Sequence, residues 1–484
     1  MSKYIVVVYI VLCATIGDDL TYDRYLTSRL AVWSICLILL TKRFTVPKSP
    51  ILLCLAGYTI WSVISLTNAM SPIEGVFEVC RNILMVMTLC VFTGIKDKSF
   101  IIKTLTLTAI GLACYGIYEF SGDIASNEYV GLMGCRNPWS ACQLLLVPFC
   151  VYNLRYWKKT SILAIVLISI NMAFLFNRAS IVAIVVAGFI LCLRNKKMRI
   201  PAIIIVLVVL CIFSSLDLSR LTDTTSLKVR IELWRATLGM VGEFPIRGCG
   251  LGGWAFEIPR YAAGIDLPGF CVKVVYQRPH NDYLWVMSET GLIGFLLYIG
   301  MFISALWCTR KNLIVSSGII MYMVIAFFSF PKERAFMCLL LVVYLSFVEC
   351  KQFRIKYIPM LLSIVICGWL CACHVGERHI SKAVFYTKYR QHEKVLKEVS
   401  LCNFTNPIAL TGIPVEWYAS NANLHLGNYD EAYKQNLIAF KKNPNNIYVL
   451  DRMGTFFAGA GKFDDSRECF NRVQSMVPDF RKPK

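Results

Sequence analysis

The sequence predicts an all-α fold: a polytopic transmembrane helical bundle of about 12–13 spans, with one large extracytoplasmic loop and a C-terminal helical repeat domain. Three observations predict it. Of 484 residues, 57% are hydrophobic and 17% charged, where soluble domains run near 45–50% and about 25%. That balance, with a mean hydropathy of +0.58, excludes a single soluble enzyme and a disordered chain. The apolar residues gather in runs close to bilayer length. Finally, the Lys and Arg residues fall in alternate connections between those runs.

A helix needs about 20 mostly apolar residues to cross a bilayer. Thirteen runs qualify or come near it: 4–17, 29–41, 50–67, 80–95, 100–119, 139–154, 160–177, 179–193, 200–215, 283–308, 313–330, 335–349 and 357–374. The first, second and eighth are short. The N-terminal run lacks a small-residue cleavage site and is read as a retained helix. Alternate connections, beginning with Lys42, Arg43 and Lys48, hold 17 Lys and Arg residues. The opposite short connections hold 7: Arg24, Arg29, Arg81, Arg136, Arg178, Lys332 and Arg334. Basic short loops stay cytoplasmic. The 216–282 loop and the tail beyond 374 are therefore expected outside the cytoplasm. The net charge of +20 is then mostly a topology signal and gives no support to a nucleic-acid partner.

The 21 cysteines sit mainly inside apolar runs, where Cys acts as a small hydrophobe. No paired CxxC pattern suggests structural zinc. Cys249 and Cys271 share the polar loop, as a disulfide or as two free thiols.

Domain 1–374 is followed by a soluble-type helical domain, 375–484. A period of 34 residues relates Gly427 to Gly461, Tyr429 to Phe463 and Pro444 to Pro478. Ala432 and Ala439 fall at the small-residue positions of a tetratricopeptide pattern, which Ser466 and Val473 occupy in the second copy. The segments 413–446 and 447–480 thus resemble two such repeats. They offer either a groove for a protein partner or a cap on the membrane domain.

Long polar insertions in compact domains are usually functional, and 216–282 is the long one here. Leu227 to Gly242 reads as an amphipathic helix with Ile231, Trp234, Leu238 and Val241 in one stripe. Pro245 and the turn Gly248-Cys249-Gly250-Leu251-Gly252-Gly253-Trp254 follow. The loop closes on Arg278-Pro279-His280-Asn281-Asp282-Tyr283-Leu284, and the next span carries Glu289, Gly291 and Gly294.

These elements, in this order, resemble the O-antigen ligase and polymerase superfamily of bacterial inner membranes. The resemblance rests on Arg230-x-x-x-Trp234, on Pro245-x-x-Gly248-x-Gly250, and on the segment from His280 to Gly294. Upstream it includes Asn177-Arg178-Ala179-Ser180 and Gly134-x-x-Asn137-Pro138, so it covers roughly 120–300. It implies a GT-C-like bundle and a periplasmic loop. It also implies glycosyl transfer from an undecaprenyl-pyrophosphate-linked glycan to lipid A core, another glycan or a protein, with no metal, nucleotide sugar or other cofactor. The remaining expected partners are membrane lipids and, through the repeats, a protein.

The residue chemistry fits that reaction. The leaving diphosphate gains negative charge as the glycosidic bond breaks, and fixed cations in a water-poor site stabilise it. Arginine presents a planar fork of donors to phosphate. Arg230, with Arg178 and Arg136, is the expected diphosphate-facing set, and Asn281 and Glu289 are supporting residues. His280 is expected as the general base for the acceptor hydroxyl, kept neutral by nearby arginines; binding the pyrophosphate as a donor is its other open role. Each residue also has a plain structural reading. Arg178 can snorkel at the interface, Arg230 can pair with Glu232 or Asp223, and Glu289 can orient His280 or cap a span. The glycines read as a tight turn.

Ligase-type transfer is the favoured reading, with a repeat-unit polymerase or a protein O-oligosaccharyltransferase as alternatives. A polysaccharide transporter or flippase is the non-enzyme rival. Transporters concentrate ionisable residues and broken helices near the midplane. Here the span centres are nearly free of charge, and the polar motifs gather on one outer face.

Overall fold

The computed structural model describes residues 2–21, 23–122, 131–175, 177–194, 200, 203, 225–261, 276–355, 358–402, 412–477 and 480. The architecture is all-α. Twelve of the thirteen apolar runs are helices: α1 (Ser2–Thr15), α2 (Thr27–Leu40), α3 (Pro50–Ser65), α4 (Pro72–Thr93), α5 (Ser99–Gly122), α6 (Arg136–Asn153), α7 (Lys158–Leu175), α8 (Arg178–Arg194), α10 (Asp282–Cys308), α11 (Leu313–Phe328), α12 (Ala335–Leu345) and α13 (Ile358–Lys388). The expected span 200–215 lies outside the described residues except at 203. Between α8 and α10 stands α9 (Thr225–Glu243). Among the described residues, six helices are long and apolar enough to cross a membrane: Pro50–Asn68, Pro72–Thr93, Ser99–Ser121, Lys158–Leu175, Asp282–Cys308 and Ile358–Lys388. The protein is a multi-pass membrane protein.

Local chemistry fixes where the helices begin. Ser49 accepts the Leu52 N–H just ahead of Pro50, and Asn312 caps α11 through Val315. These side chains satisfy amide donors that an isolated helix leaves unpaired. The innermost helix is α12, with all eleven residues buried. At 1.5 Å per residue it is only about 16 Å long. The turn before it, Phe330 to Arg334, is therefore drawn into the protein, and Lys332, Glu333 and Arg334 are all buried. Non-helical backbone at such depth is tolerated where protein surrounds it.

The two ends of the bundle are closed differently. At one end β1 (Thr45–Pro47) pairs antiparallel with β2 (Gln352–Arg354). These strands belong to connections expected on the cytoplasmic side. At the other end ion pairs join the connections. Asp18 meets His374 at 3.2 Å and Arg378 at 2.6 Å, and Asp23 meets Arg334 at 2.9 Å.

Helix α13 runs unbroken to Lys388, across the expected boundary at 374. One sequence expectation needs correction. In α9 the buried face is Leu233, Ala236, Thr237 and Met240, whereas Ile231 and Leu238 of the expected stripe are exposed. A helix beside a bilayer carries apolar side chains on faces that do not meet protein, so hydrophobicity alone misassigns its packed face.

Beyond α13 come α14 (His392–Leu401), α15 (Val415–His425), α16 (Tyr429–Lys442), α17 (Ile447–Gly459) and α18 (Phe463–Met476). Helices α15–α16 and α17–α18 form two hairpins whose equivalent residues lie 34 apart. Ser420 Oγ donates to the Ala432 carbonyl at 2.7 Å, and at the equivalent positions Ser466 Oγ donates to the Gly454 carbonyl at 2.8 Å. The hairpins touch the membrane domain's loop: buried Asn445 donates Nδ2 to the Phe256 carbonyl at 3.0 Å.

Candidate active site

The span α10 is broken at Gly291, where φ is 66° and ψ −170°. A break in a helix frees backbone groups that must find partners elsewhere. Here the glycine-rich turn supplies them. Cys249 N donates to Ser288 O at 2.8 Å, Gly250 N to Glu289 O at 3.1 Å, and Leu292 N to Pro245 O at 2.8 Å. Trp61 Nε1 donates to Thr290 O at 2.7 Å. The approach is so close that a Cβ on Gly248 would fall inside the Glu289 carbonyl, and one on Gly291 inside the Ile246 carbonyl. The proline–glycine turn and the Glu-x-Gly segment thus form one interlocked unit.

Glu289 belongs to that unit. Its carboxylate accepts the Trp254 N–H at 3.2 Å and lies 3.7 Å from Lys332 Nζ. It pins the turn to the span and has no described contact with His280. Lys332 also meets Glu78 at 3.1 Å, lies 3.6 Å from the centroid of the Trp285 ring, and donates its backbone N–H to Asp282 at 2.9 Å. Burial alone would push the Lys332 ammonium toward neutrality. Glu78 and Glu289 outweigh it and raise its pKa.

At the head of α10, Asn281 is a buried helix cap, its Oδ1 accepting from Tyr283 N at 3.0 Å and Leu284 N at 3.1 Å. His280 precedes it in a left-handed conformation, φ 55°. This backbone is uncommon outside glycine and is held by its neighbours. Trp234 Nε1 donates to the Pro279 carbonyl at 2.9 Å, tying α9 to this turn. Arg230 lies one helical turn before Trp234, on the same face. The His280 ring packs edge-on against Phe330 at 5.2 Å, and Arg278 lies over the same ring at 4.7 Å. Arg278 is held by the buried carboxylate of Glu333.

Arg230 and Arg278 act electrostatically on His280, and Arg178 acts on Arg230 behind it. Burial, then Arg230, then Arg278 push the imidazole down to about 4, so it is neutral near pH 7. Burial and then Arg178 lower the pKa of Arg230. Arg178 begins α8 beside Asn177, whose Nδ2 reaches the Asn137 carbonyl at 3.1 Å, while Ser180 and Ser140 bond at 2.9 Å. The two upstream motifs therefore meet. Arg136 turns elsewhere: its guanidinium donates to the Leu175 and Phe174 carbonyls at 2.7 and 3.0 Å, closing the C-terminal end of α7.

Sequence reasoning missed Arg278 as a site cation; it read Lys332 only as a charge of an outer connection and did not single out Glu333. Arg278 stood inside the quoted motif two residues from His280, which is signal enough to have singled it out. Cys249 is a buried free thiol, raised well above its ordinary pKa by burial; Cys271 lies outside the described residues. No group of His, Cys, Asp and Glu among the described residues has the arrangement of a metal site.

The fold and this cluster define a class: a helical membrane protein with a half-buried cationic site built between a polar loop helix and the head of a span. The family model described as O-antigen ligase matches residues 163–299, the stretch holding α7, α8, α9 and most of α10. That match spans less than a third of the chain and supports the O-antigen ligase superfamily over this stretch, with a function of the ligase or polymerase type in general. No curated protein matches the chain.

Proposed function

We propose that the protein transfers a glycan from an undecaprenyl-pyrophosphate carrier to an acceptor, in the manner of an O-antigen ligase, on the periplasmic face of a bacterial inner membrane. One observation carries the reading. An apolar groove of about 570 Å³ is lined by Val182, one turn of α8 beyond Arg178, by Tyr283, three residues after His280, and by Val186, Met323, Phe327 and Phe328. Phe327 packs on Trp234 at 5.5 Å, so groove and cationic cluster share a wall. A lipid diphosphate has this bipartite chemistry: an apolar chain for the groove and an anionic head for the guanidiniums.

In the mechanism, Arg230 and Arg178 hold the diphosphate and stabilise the charge that grows on it as the C–O bond to the sugar breaks. Arg278 adds a third guanidinium. His280, neutral and within the cationic ring, takes the proton of the acceptor hydroxyl as that oxygen attacks the sugar carbon. Its neighbours work to this end: a base surrounded by cations stays unprotonated until the substrate's negative charge arrives. Asn281 positions His280 by fixing the first turn of α10, and Glu289 holds the glycine turn that carries α9. Arg136 braces α7 against α6 at the edge of the site.

A protein acceptor is the second reading, favoured by one observation. The C-terminal hairpins bond the loop through Asn445 and Phe256, close to α9, where they can present a partner to the site. The test is transfer from a lipid-linked glycan by wild type, His280→Ala and Arg230→Ala proteins of equal membrane content. Loss in both variants is expected. Wild-type activity in His280→Ala would sink the mechanism. Surface glycans profiled after gene deletion then separate ligase, polymerase and protein-glycosylating roles.

A further inference from the structure

At the end of α10 remote from His280 lies a second cavity, of about 860 Å³. The 27 residues from Asp282 to Cys308 put it about 40 Å from the transfer site, at 1.5 Å per residue. Four connections converge on it: Thr93–Ile102, Tyr152 and Tyr156, Trp307–Asn312, and Phe347–Gln352. All four are connections expected on the cytoplasmic side, at the same end as the β1–β2 pair.

The chemistry of its walls is divided. Lys96, Lys98, Arg310 and Lys311 give it four cations against Asp97 and Glu349. Asp97 is engaged with Lys3 at 3.9 Å. Among the described residues, none of Lys96, Lys98 and Lys311 forms an ion pair. Lys98 is half-buried with only the Ile95 carbonyl as an acceptor, at 2.9 Å. Ile95, Ile102, Phe347 and Val348 supply an apolar wall. At the rim stand exposed aromatics at helix ends, Trp307 under Arg310 at 4.4 Å and Tyr156 under Lys103 at 5.8 Å. Aromatic rings and basic residues so arranged mark the headgroup level of a bilayer.

We propose that this cavity binds the phosphodiester headgroup of an anionic phospholipid from the leaflet on the far side of the membrane from the Arg230–His280 site. A free phosphate would need the cations and nothing else. The apolar wall, the volume and the interfacial rim suit a headgroup whose glycerol and chains continue into the bilayer. Basic pockets between spans on the cytoplasmic side recognise anionic lipids in this way. Burial lowers the pKa of the Lys98 ammonium, with Glu349 offsetting it only in part, and an arriving phosphate adds counter-charge at this half-buried cation.

The test uses the full chain in a neutral detergent, with phosphatidylglycerol or phosphatidylcholine added and bound lipid counted by native mass spectrometry. Wild type should hold one phosphatidylglycerol in clear preference to phosphatidylcholine. Lys96→Gln/Lys311→Gln, at two exposed positions, should bind it roughly tenfold more weakly, and Lys96→Arg/Lys311→Arg should restore it. Lys42→Gln/Lys351→Gln removes two exposed cations from the same face outside the cavity and should leave binding unchanged. Equal retention of the two lipids overturns the proposal. So does an equal loss in the Lys42/Lys351 variant, which would mean diffuse surface charge. Inorganic phosphate displacing the lipid at equal concentration would make the cavity a soluble-anion site and also overturns it.

Discussion

If His280 is the base, the acid limb of the transfer rate is set by the charges that face its ring. Those are Arg230 from α9, with Arg178 of α8 behind it, and Arg278 from its own segment, itself paired with Glu333 from the turn before α12. Burial, Arg230 and Arg278 together hold the imidazole at about 4, against an ordinary value near 6.5. At pH 5 an imidazole at about 4 is about 90% neutral, while one near 6.5 is about 3% neutral. Replacing Arg278 with Gln removes one lowering charge. Because Glu333 would be left buried without its partner, the informative variant is Arg278→Gln/Glu333→Gln. Its limb should move up from about pH 4, but stay below 6.5, because burial, the largest cause, is untouched. Arg230→Gln should move it the same way and further. The assay is kcat/KM for a lipid-linked donor between pH 4 and 8, read for the position of the limb and not its height. A limb that stays in place in both variants, or that moves down, refutes His280 as the titrating base.

Four further outcomes are expected. Trp234→Phe keeps the ring packing on Phe327 but removes the bond to Pro279, at about 1 kcal/mol; donor kcat should fall roughly fivefold with near-native melting in detergent. Lys332→Met strips buried Glu289 of its cation and should cost about 3–5 kcal/mol in unfolding measurements, part of which Lys332→Met/Glu289→Gln recovers, since Gln still accepts the Trp254 N–H and Glu78 keeps Arg81 at 3.0 Å. Gly291→Ala forces a side chain into a backbone conformation reserved for glycine and into the Ile246 carbonyl; it should fail to accumulate as folded protein by size-exclusion fluorescence. A periplasm-active reporter placed in the 262–275 stretch and one at the C-terminus should be active together, and activity in only one would contradict the packing of Asn445 on Phe256.

The sequence made the spans legible for a physical reason: the bilayer admits few alternatives to apolar helices, so hydropathy and basic loops nearly suffice. It also showed His280, Arg230 and Arg178, because the same short motifs carry the chemistry and its geometry. What stayed hidden depended on long-range contact. Nothing near Glu289 announces that its carboxylate serves Trp254, thirty-five residues earlier in the chain, or that the break at Gly291 receives the turn at Gly248. Lys332 and Glu333 looked like a brief outer connection, and only the shortness of α12 draws them inside. The α9 stripe failed because membrane-side and protein-side hydrophobes look alike in a list of residues.

Sidedness rests on two independent lines that meet. The loop and the C-terminal hairpins bond each other through Phe256 and Asn445, so they share a side whatever that side is. Between them the chain passes through α10, α11, α12 and α13, an even number of helices, as a shared side demands. The pairing of β1 with β2 puts the 41–49 and 350–355 connections together at the other end, and these carry Lys42, Lys48, Lys351 and Arg354. This parity does not depend on the 200–215 run or on the three short N-terminal-half helices. The excess of cations then has a location: it lies at the β1–β2 end. Around His280, Arg278 is paired with Glu333, and farther off Glu78 and Asp23 pair with Arg81 and Arg334, so any diphosphate bound there is held by placed guanidiniums and not by a general positive field.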